Sequence, residues 1–277
     1  MYRLADKARA MDDSVFNLVR GGTPLLVSLP HVGTVIPEEL RGRYVERALA
    51  VEDTDWHLDR LYDFVRGLGA SLIVPRHSRY VIDLNRPPED APMYAGVNNT
   101  ELCPTRFFTG DPLYCPGQAP DEGEIARRRE RYWRPYHAAL AEELARLKAL
   151  HGHALLFDGH SIKSELPWLF DGRLPDLNLG TAGGASCAPS LRAALVDVLE
   201  RQTAFTQVVD GRFKGGYITR RHGQPAQGLH AVQLEMCWRC YMPEQPPFEI
   251  DAMRAATLLP LLRGLVRAML VWRPDHD

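Results

Sequence analysis

Three residues of types that bind metals or carry protons stand at or just beyond the ends of short apolar runs. His31 follows LLVSLP, His160 follows ALLFDG, and Glu235 ends AVQLE. We predict that each run is a buried strand. Ligands of open α/β sheets bind at the carboxyl ends of neighbouring strands, so these side chains would converge on one site if the strands are neighbours. The alternative for His31 is a loop histidine that makes one hydrogen bond.

Two histidines and a carboxylate are typical of a hydrolytic zinc site. Such a site needs about three protein ligands, an open position for water, and a further carboxylate that takes the proton of this water. Asp53 and Asp55 are candidates for the third ligand, although either could instead cap a helix. Asp158 would orient His160 or form a turn. Glu235 would be the general base.

The segments that must position these residues alternate between helical and extended patterns. A helical periodicity begins at residues 53–55 and ends at Gly69. Residues 87 to about 120 are rich in Pro, Gly and Asn without periodicity, and we predict a packed loop there that covers the site, with Met93 and Tyr94 among its apolar residues. The other patterns predict strands at 71–74, 80–84, 154–157, 205–209 and 231–235, helices at 122–150, 189–201 and 253–272, and a glycine-rich loop at 176–187.

This alternation predicts an α/β fold with a mixed, mostly parallel sheet flanked by helices. The chain has 277 residues, enough for one large α/β domain. It shows neither an internal repeat nor a segment typical of a linker. We therefore expect a single domain over residues 1–277.

The amino-acid composition and net charge of the chain indicate which kinds of binding partner to expect. The chain is 45% hydrophobic and 25% charged with a formal net charge of -2, which gives no reason to expect binding to nucleic acid or to an anionic membrane. The start, MYRLADKARA, lacks the apolar core of a signal peptide, so we expect a cytoplasmic protein. Five irregularly spaced cysteines favour reduced thiols over a disulfide framework. The oligomeric state is left open.

Five motifs, taken together and in order, resemble those of the N-formylglutamate amidohydrolase family. They are PHVG with IP at 30–37, DTDW at 53–56, SRYVIDLNR at 78–86, DGHS at 158–161, and KGG with TR at 214–220. The resemblance implies a fold related to the zinc carboxypeptidases and aspartoacylases. It also implies zinc-dependent hydrolysis of N-formyl-L-glutamate to L-glutamate and formate, a step of histidine degradation.

Carried onto this sequence, the resemblance implies that His31, Asp55 and His160 bind one zinc ion per chain. In the wider carboxypeptidase pattern, a glutamate ligand stands three positions after the first histidine. Thr34 occupies that position here and cannot replace a glutamate. Asp55 is therefore the expected carboxylate ligand, with Asp53 as the alternative.

The substrate suggests which other residues to expect in the site. N-formylglutamate carries two carboxylates and no cation, and arginine matches carboxylate geometry. Arg79 and Arg86 bracket one predicted strand, with Asn85 as a further donor, and Lys214 and Arg220 bracket a glycine turn. One of these cations could instead lie beside the developing oxyanion. The alternative for each is an ordinary salt bridge.

Two other functions are compatible with these residues. Within the enzymes, the alternative is hydrolysis of a different N-acyl amino acid or of a peptide carboxy terminus. Outside them, Cys237 and Cys240 have the spacing of a redox dithiol or of half a zinc knuckle. We expect a small anionic N-acyl amino acid as the partner of this chain.

Overall fold

A seven-stranded mixed sheet forms the centre of the computed structural model, which describes residues 14–92 and 98–274. The sheet order is β1-β3-β2-β4-β7-β5-β6. Four of the six strand pairs are parallel, whereas β1/β3 and β7/β5 are antiparallel. The predicted fold class is therefore confirmed. The strands are β1 (Phe16–Val19), β2 (Leu25–Ser28), β3 (Ser71–Pro75), β4 (Ala154–Ile162), β5 (Leu177–Gly180), β6 (Gln207–Val209) and β7 (Leu229–Cys237).

Helices cover both faces of this sheet. A five-residue π-helical turn, Arg129–Trp133, joins α4 to α5 just before Pro135, which has no N–H to donate to a regular helix. The helices are α1 (Glu38–Arg41), α2 (Leu58–Leu61), α3 (Phe64–Gly67), α4 (Glu122–Arg128), α5 (Arg134–His151), α6 (Pro189–Glu200), α7 (Tyr217–His222) and α8 (Ala252–Val271). None of the helices within the described ranges has the length and apolar character that a membrane crossing would require.

Successive side chains of the central strands point alternately to the two helix-covered faces of the sheet. Leu25 and Val27 of β2 pack in the cluster that contains α6 and α8, whereas Leu26 packs in the cluster that contains α5. In β4, Leu156 also belongs to the α5 cluster. Because side chains alternate along a strand, residues 158 and 160 lie on the same face as Leu156. The side chains of Asp158 and His160 therefore lie on the face of the sheet that packs against α5.

The three strands that carry the predicted site are neighbours, as expected. β2, β4 and β7 are adjacent and parallel, with Ser28 opposite Asp158 and His160 opposite Glu235. β4 runs from Ala154 to Ile162, beyond the predicted end at residue 157. His160 and Glu235 therefore lie within strands rather than beyond them.

Two predicted elements are wrong. The helix expected over 53–69 is replaced by the one-turn helices α2 and α3, and His57 before α2 has a left-handed backbone with φ of 63°. Residues 80–84 form turns rather than a strand, although all of them are buried. Their apolar side chains pack into the α5 cluster, so burial alone produced the strand-like pattern.

Two strands escaped prediction. β5 lies within the segment expected to be a glycine-rich loop, where its four buried residues pair with β7. β1 pairs with β3 at the sheet edge. The covering segment, in contrast, has neither a helix nor a strand in its described parts, 87–92 and 98–120. Met93 and Tyr94 lie outside the described residues.

Candidate metal centre and active site

His31, Asp55 and His160 form a buried group whose ligand atoms all lie within 4.8 Å of one another. The Nδ1 atoms of the two histidines are 3.2 Å apart, and Asp55 Oδ2 lies 3.6 Å from Nδ1 of His31 and 3.3 Å from Nδ1 of His160. The backbone N–H of Asp55 donates to the carbonyl of His31 at 3.0 Å. This hydrogen bond joins the segment after β2, which carries His31, to the segment that carries Asp55. Both segments lie beside His160 of β4.

The outer nitrogen of each histidine contacts a carboxylate. Nε2 of His31 lies 2.7 Å from Oδ1 of Asp83, and Nε2 of His160 lies 2.9 Å from Oδ2 of Asp158. An ionised carboxylate only accepts hydrogen bonds, so each Nε2 carries the proton. In the neutral form of each ring, Nδ1 then carries the lone pair and faces the other histidine, an arrangement typical of carboxylate–histidine–metal sites.

The donor set fits a cation. Asp55 Oδ2 is buried without a hydrogen-bond partner among the described residues, and it faces the two Nδ1 lone pairs. Burial lowers the pKa of His160, but the charge and hydrogen bond of Asp158 outweigh burial and hold this pKa well above its ordinary value. The surroundings therefore favour positive charge at this point. The buried His31–Asp55–His160 group could hold a metal ion.

Glu235 stands next to this group on β7. Its side chain is buried, lines the same cavity, and accepts no hydrogen bond from any described residue. Burial raises the pKa of Glu235, and the charges of Asp55 and Asp158 act in the same direction, whereas His160 and Arg79 act against them. A buried carboxylate that lines a cavity, accepts no other hydrogen bond and has a raised pKa is well suited to accept and return a proton.

A cavity of about 70 Å³ opens beside these residues. Its wall includes part of the covering segment, namely Asn98, Asn99, Thr100 and Phe108. That the whole segment over 87–120 covers the site stays a prediction.

Comparison with known proteins decides the family. The family model for N-formylglutamate amidohydrolase matches residues 23–242. The chain belongs to the N-formylglutamate amidohydrolase family. It is 50% identical over 260 residues to an N-formylglutamate deformylase of Pseudomonas aeruginosa, covering 94% of this chain and 97% of the relative. It is 48% identical over 264 residues to one of Pseudomonas putida, covering 95% and 98%.

A solved structure agrees with this assignment. The crystal structure of N-formylglutamate amidohydrolase from Ralstonia eutropha JMP134 superposes with a TM-score of 0.77 at 26% sequence identity. The similarity covers 92% of this chain and 98% of that one. The sheet and helices described above therefore form the fold of this amidohydrolase family.

In this family member, the two candidate aspartates have different partners. Oδ2 of Asp53 accepts hydrogen bonds from the hydroxyl of Tyr80 at 2.8 Å and from the backbone N–H of Phe108 at 3.0 Å. Asp53 therefore holds the covering segment in place, and Asp55 is the one that joins the two histidines. Neither carboxylate caps α2, which has no side-chain cap.

Arg79 lies beside the His31–Asp55–His160 group. Its Nη2 donates to Asp83 at 2.6 Å, and its Nη1 lies 3.3 Å from Nδ1 of His31 and 3.9 Å from Asp55. Burial raises the pKa of Asp83, but His31 and the Arg79 guanidinium outweigh burial and hold it well below its usual value. Asp83 was not singled out from the sequence. Its spacing of four residues from Arg79 was the available signal.

Asn85 and Arg86 also line the cavity. Asn85 Nδ2 lies 3.0 Å from Nε2 of His160, and its Oδ1 accepts from the backbone N–H of Ile218 at 2.8 Å. Arg86 donates three hydrogen bonds, to the backbone oxygen of Asn85 and to both oxygens of Thr100. Both residues therefore form part of the cavity wall, and Arg86 adds a positive charge to it.

The glycine turn approaches the site differently from the sequence interpretation. Lys214 and Arg220 are exposed and are not among the described residues that line the cavity, while Gly216 is. The Nε of Arg220 donates to the carbonyl of Gly215 at 2.9 Å. A Cβ added at Gly216 would lie 2.2 Å from Nδ2 of Asn85. The turn therefore brings its backbone, rather than its cations, against the site.

Further contributors were missed from the sequence. Arg212 lines the cavity two residues before Lys214. Behind His160, the hydroxyl of Ser28 donates to Asp158 at 3.0 Å and contacts the hydroxyl of Tyr136 at 3.1 Å. Ser28 was hidden inside an apolar run. Side chains alternate along a strand, so Ser28 lies on the same face as Leu26, and a polar residue on this buried face was the available signal.

The cysteine pair does not resemble a redox or metal site. Cys237 and Cys240 are buried, and burial raises their pKa values, to about 12 for Cys237. The Sγ of Cys237 donates to the carbonyl of Pro175 at 3.2 Å. Reactive and metal-binding cysteines need the thiolate, which these surroundings disfavour.

Proposed function

We propose that this chain hydrolyses N-formyl-L-glutamate to L-glutamate and formate. One observation carries the proposal. The His31–Asp55–His160 group and Glu235 share a cavity, in a chain about half identical to two N-formylglutamate deformylases over nearly all of its length. The substrate is then a small anionic N-acyl amino acid. A cytoplasmic location and a role in histidine degradation belong to the same proposal.

In this proposal His31, Asp55 and His160 hold one zinc ion. Two neutral imidazoles and one carboxylate belong to the nitrogen and oxygen ligands of catalytic zinc sites, and they leave a net charge of about +1 on the centre. When bound, zinc would polarise the formyl carbonyl and lower the pKa of a water molecule to about 7. Asp83 and Asp158 accept the Nε2 protons of His31 and His160, and this leaves the Nδ1 atom of each ring available to bind the ion.

Glu235 acts as the general base and then as the general acid. Its carboxylate removes a proton from the attacking water as the new C–O bond forms, and it returns this proton to the amide nitrogen as the C–N bond breaks. Formate and the amine of glutamate are the products. Its burial and its place beside His160 support this double role.

Arginines supply the remaining positive charge. Arg79, beside His31 and Asp55, would stabilise the negative charge that develops on the formyl oxygen. Arg86 and Asn85 line the cavity and would bind the α-carboxylate next to the amide. Substrate binding by Lys214 and Arg220 stays a prediction, because both are exposed and neither is among the described residues that line the cavity.

A comparison of three substrates tests the proposal. Formate or acetate release is measured with N-formyl-L-glutamate, N-formyl-L-aspartate and N-acetyl-L-glutamate, on protein whose zinc content is determined in parallel. We expect about one zinc per chain and at least about a 10-fold preference in kcat/KM for N-formyl-L-glutamate, equivalent to about 1.4 kcal/mol. A preference for either other substrate would indicate a different N-acyl amino acid hydrolase. Cleavage of peptide carboxy termini instead would indicate a peptidase.

A further inference from the structure

We propose that Arg212 binds the side-chain carboxylate of the substrate and thereby sets the preference for an acidic side chain. The inference rests on the proposed function and extends it to a residue that the sequence motifs do not include. Arg212 lies in the segment between β6 and α7, just before the glycine turn.

Arg212 stands where the active-site cavity meets solvent. It lines both this cavity and a wider, open groove of about 660 Å³ beside it. Asn98 and Leu169 also line both spaces. A substrate entering from the groove therefore passes Arg212 before it reaches the His31–Asp55–His160 group.

The guanidinium of Arg212 is partly held in place. Its Nη2 donates to the carbonyl of Leu169 at 3.3 Å, and its central carbon lies 5.4 Å from the centre of the Phe213 ring. The segment that carries Leu169 is itself tied to the covering segment, because Asn98 Nδ2 donates to the carbonyl of Trp168 at 2.6 Å. These contacts hold the Arg212 guanidinium in a defined position at the mouth of the cavity, so less side-chain entropy is lost when it binds a ligand.

The other arginines that line the cavity are bound to protein groups beside the proposed reaction centre. Arg79 contacts Asp83 and the His31–Asp55–His160 group, and Arg86 gives three donors to the two residues beside it. In the substrate, the α-carboxylate is close to the reacting amide, whereas two methylene groups separate the side-chain carboxylate from Cα. The second carboxylate therefore lies farther from the reacting carbon, toward the mouth. A planar guanidinium is the group that pairs best with it.

The test compares two substrates of nearly equal shape, N-formyl-L-glutamate and N-formyl-L-glutamine, in wild type, Arg212→Gln and Arg212→Lys. The matched control is Arg173→Gln, an exposed arginine that pairs with Glu165 at 3.6 Å and does not line the cavity. We expect Arg212→Gln to lower kcat/KM for N-formyl-L-glutamate about 30-fold or more, mainly through KM, because a charge-assisted bidentate pair is lost.

The same variant should change kcat/KM for N-formyl-L-glutamine by less than about 3-fold, so the preference between the two substrates collapses. Arg212→Lys should recover part of this preference. An equal loss on both substrates would mean a structural role and overturn the inference, as would an unchanged preference.

Failure of the proposed function gives a different result. A wild type that releases no formate overturns that function. Calorimetric titration of the wild type and Arg212→Gln with L-glutamate and L-glutamine then still decides the role of Arg212. Tighter binding of L-glutamate that disappears in the variant supports the inference, and equal binding in both proteins contradicts it.

Discussion

His160 and Glu235 are register partners on the adjacent parallel strands β4 and β7. Their backbones are separated by one strand spacing, about 4.8 Å, and their side chains project from the same face of the sheet. The sheet hydrogen bonds, rather than a loop, therefore fix the distance between a proposed metal ligand and the proposed base. Such rigid placement favours catalysis because little reorganisation is needed during reaction.

Glu235→Gln should leave the metal content unchanged and nearly abolish turnover. The amide has almost the shape of the carboxylate but cannot accept the proton of water, and general base catalysis contributes about 10²- to 10⁴-fold. We therefore expect kcat to fall by about 10³-fold, measured as formate release at saturating substrate. The melting temperature and zinc content of the variant serve as controls. Activity within about 3-fold of wild type would exclude Glu235 as the base.

Asp55→Asn and Asp53→Asn form a matched pair of substitutions two residues apart. Both carboxylates are buried, but only Asp55 faces the two histidines. Asp55→Asn should weaken zinc binding by at least about 100-fold, because the amide lacks the charge of the ligand. Asp53→Asn should keep the zinc and lose stability instead, since it weakens the contacts to Tyr80 and Phe108. Chelator competition and thermal melting measure the two effects, and the reverse pattern would assign the ligand to Asp53.

Ser28→Ala should weaken zinc binding although Ser28 contacts no proposed ligand directly. The substitution removes the hydrogen bond to Asp158, which in turn holds Nε2 of His160. Loss of such outer partners costs about 10- to 100-fold in metal affinity, and Ser28→Ala is expected at the lower end of this range. Asp158→Asn should have the larger effect, and Tyr136→Phe a smaller one. Unchanged zinc affinity in all three variants would show that the network acts only on packing.

His137 should make the free energy of unfolding depend on pH. Burial lowers its pKa from 6.5 to about 3, and its Nε2 contacts the carbonyl of Leu84 at 2.8 Å. Between these two pH values the unfolded chain binds a proton that the folded chain does not, so stability is full above pH 6.5 and falls as pH falls.

Denaturant unfolding at pH 7.0 and 4.5 measures this effect. His137→Gln keeps a donor for Leu84 and should reduce the loss of stability between the two pH values by about 2 kcal/mol. His151→Gln, at an exposed position, is the control and should leave the loss unchanged. An equal loss in wild type and His137→Gln would show that His137 does not couple protonation to folding.

The core strands, and the two histidines of the candidate metal centre, could be predicted because local sequence indicates them. The apolar run of β2 and the run that begins β4 each end in polar residues, and the order of strands follows from few topological choices. His31 and His160 were recognisable because each is a polar residue just after a short apolar run. Asp55 could not be separated from Asp53 by sequence, since the choice depends on which carboxylate faces the histidines in three dimensions.

Other features depended on contacts between distant segments. The buried run at residues 80–84 looks like a strand because every side chain is covered, but tertiary packing rather than pairing covers it. The motif KGG drew attention to its cations, whereas Gly216 is the residue that approaches Asn85. Arg212 reaches the cavity mouth only through the fold of the segment after β6.

The His31–Asp55–His160 group joins residues separated by 129 positions along the chain, from His31 to His160. An unfolded chain would have to close a loop of that length before two of the three side chains could meet, and the entropy of closure opposes it. A bound ion would therefore select the assembled sheet over the unfolded chain and slow the loss of structure. Chains that hold the proposed ion would therefore resist proteolysis better than chains that lack it.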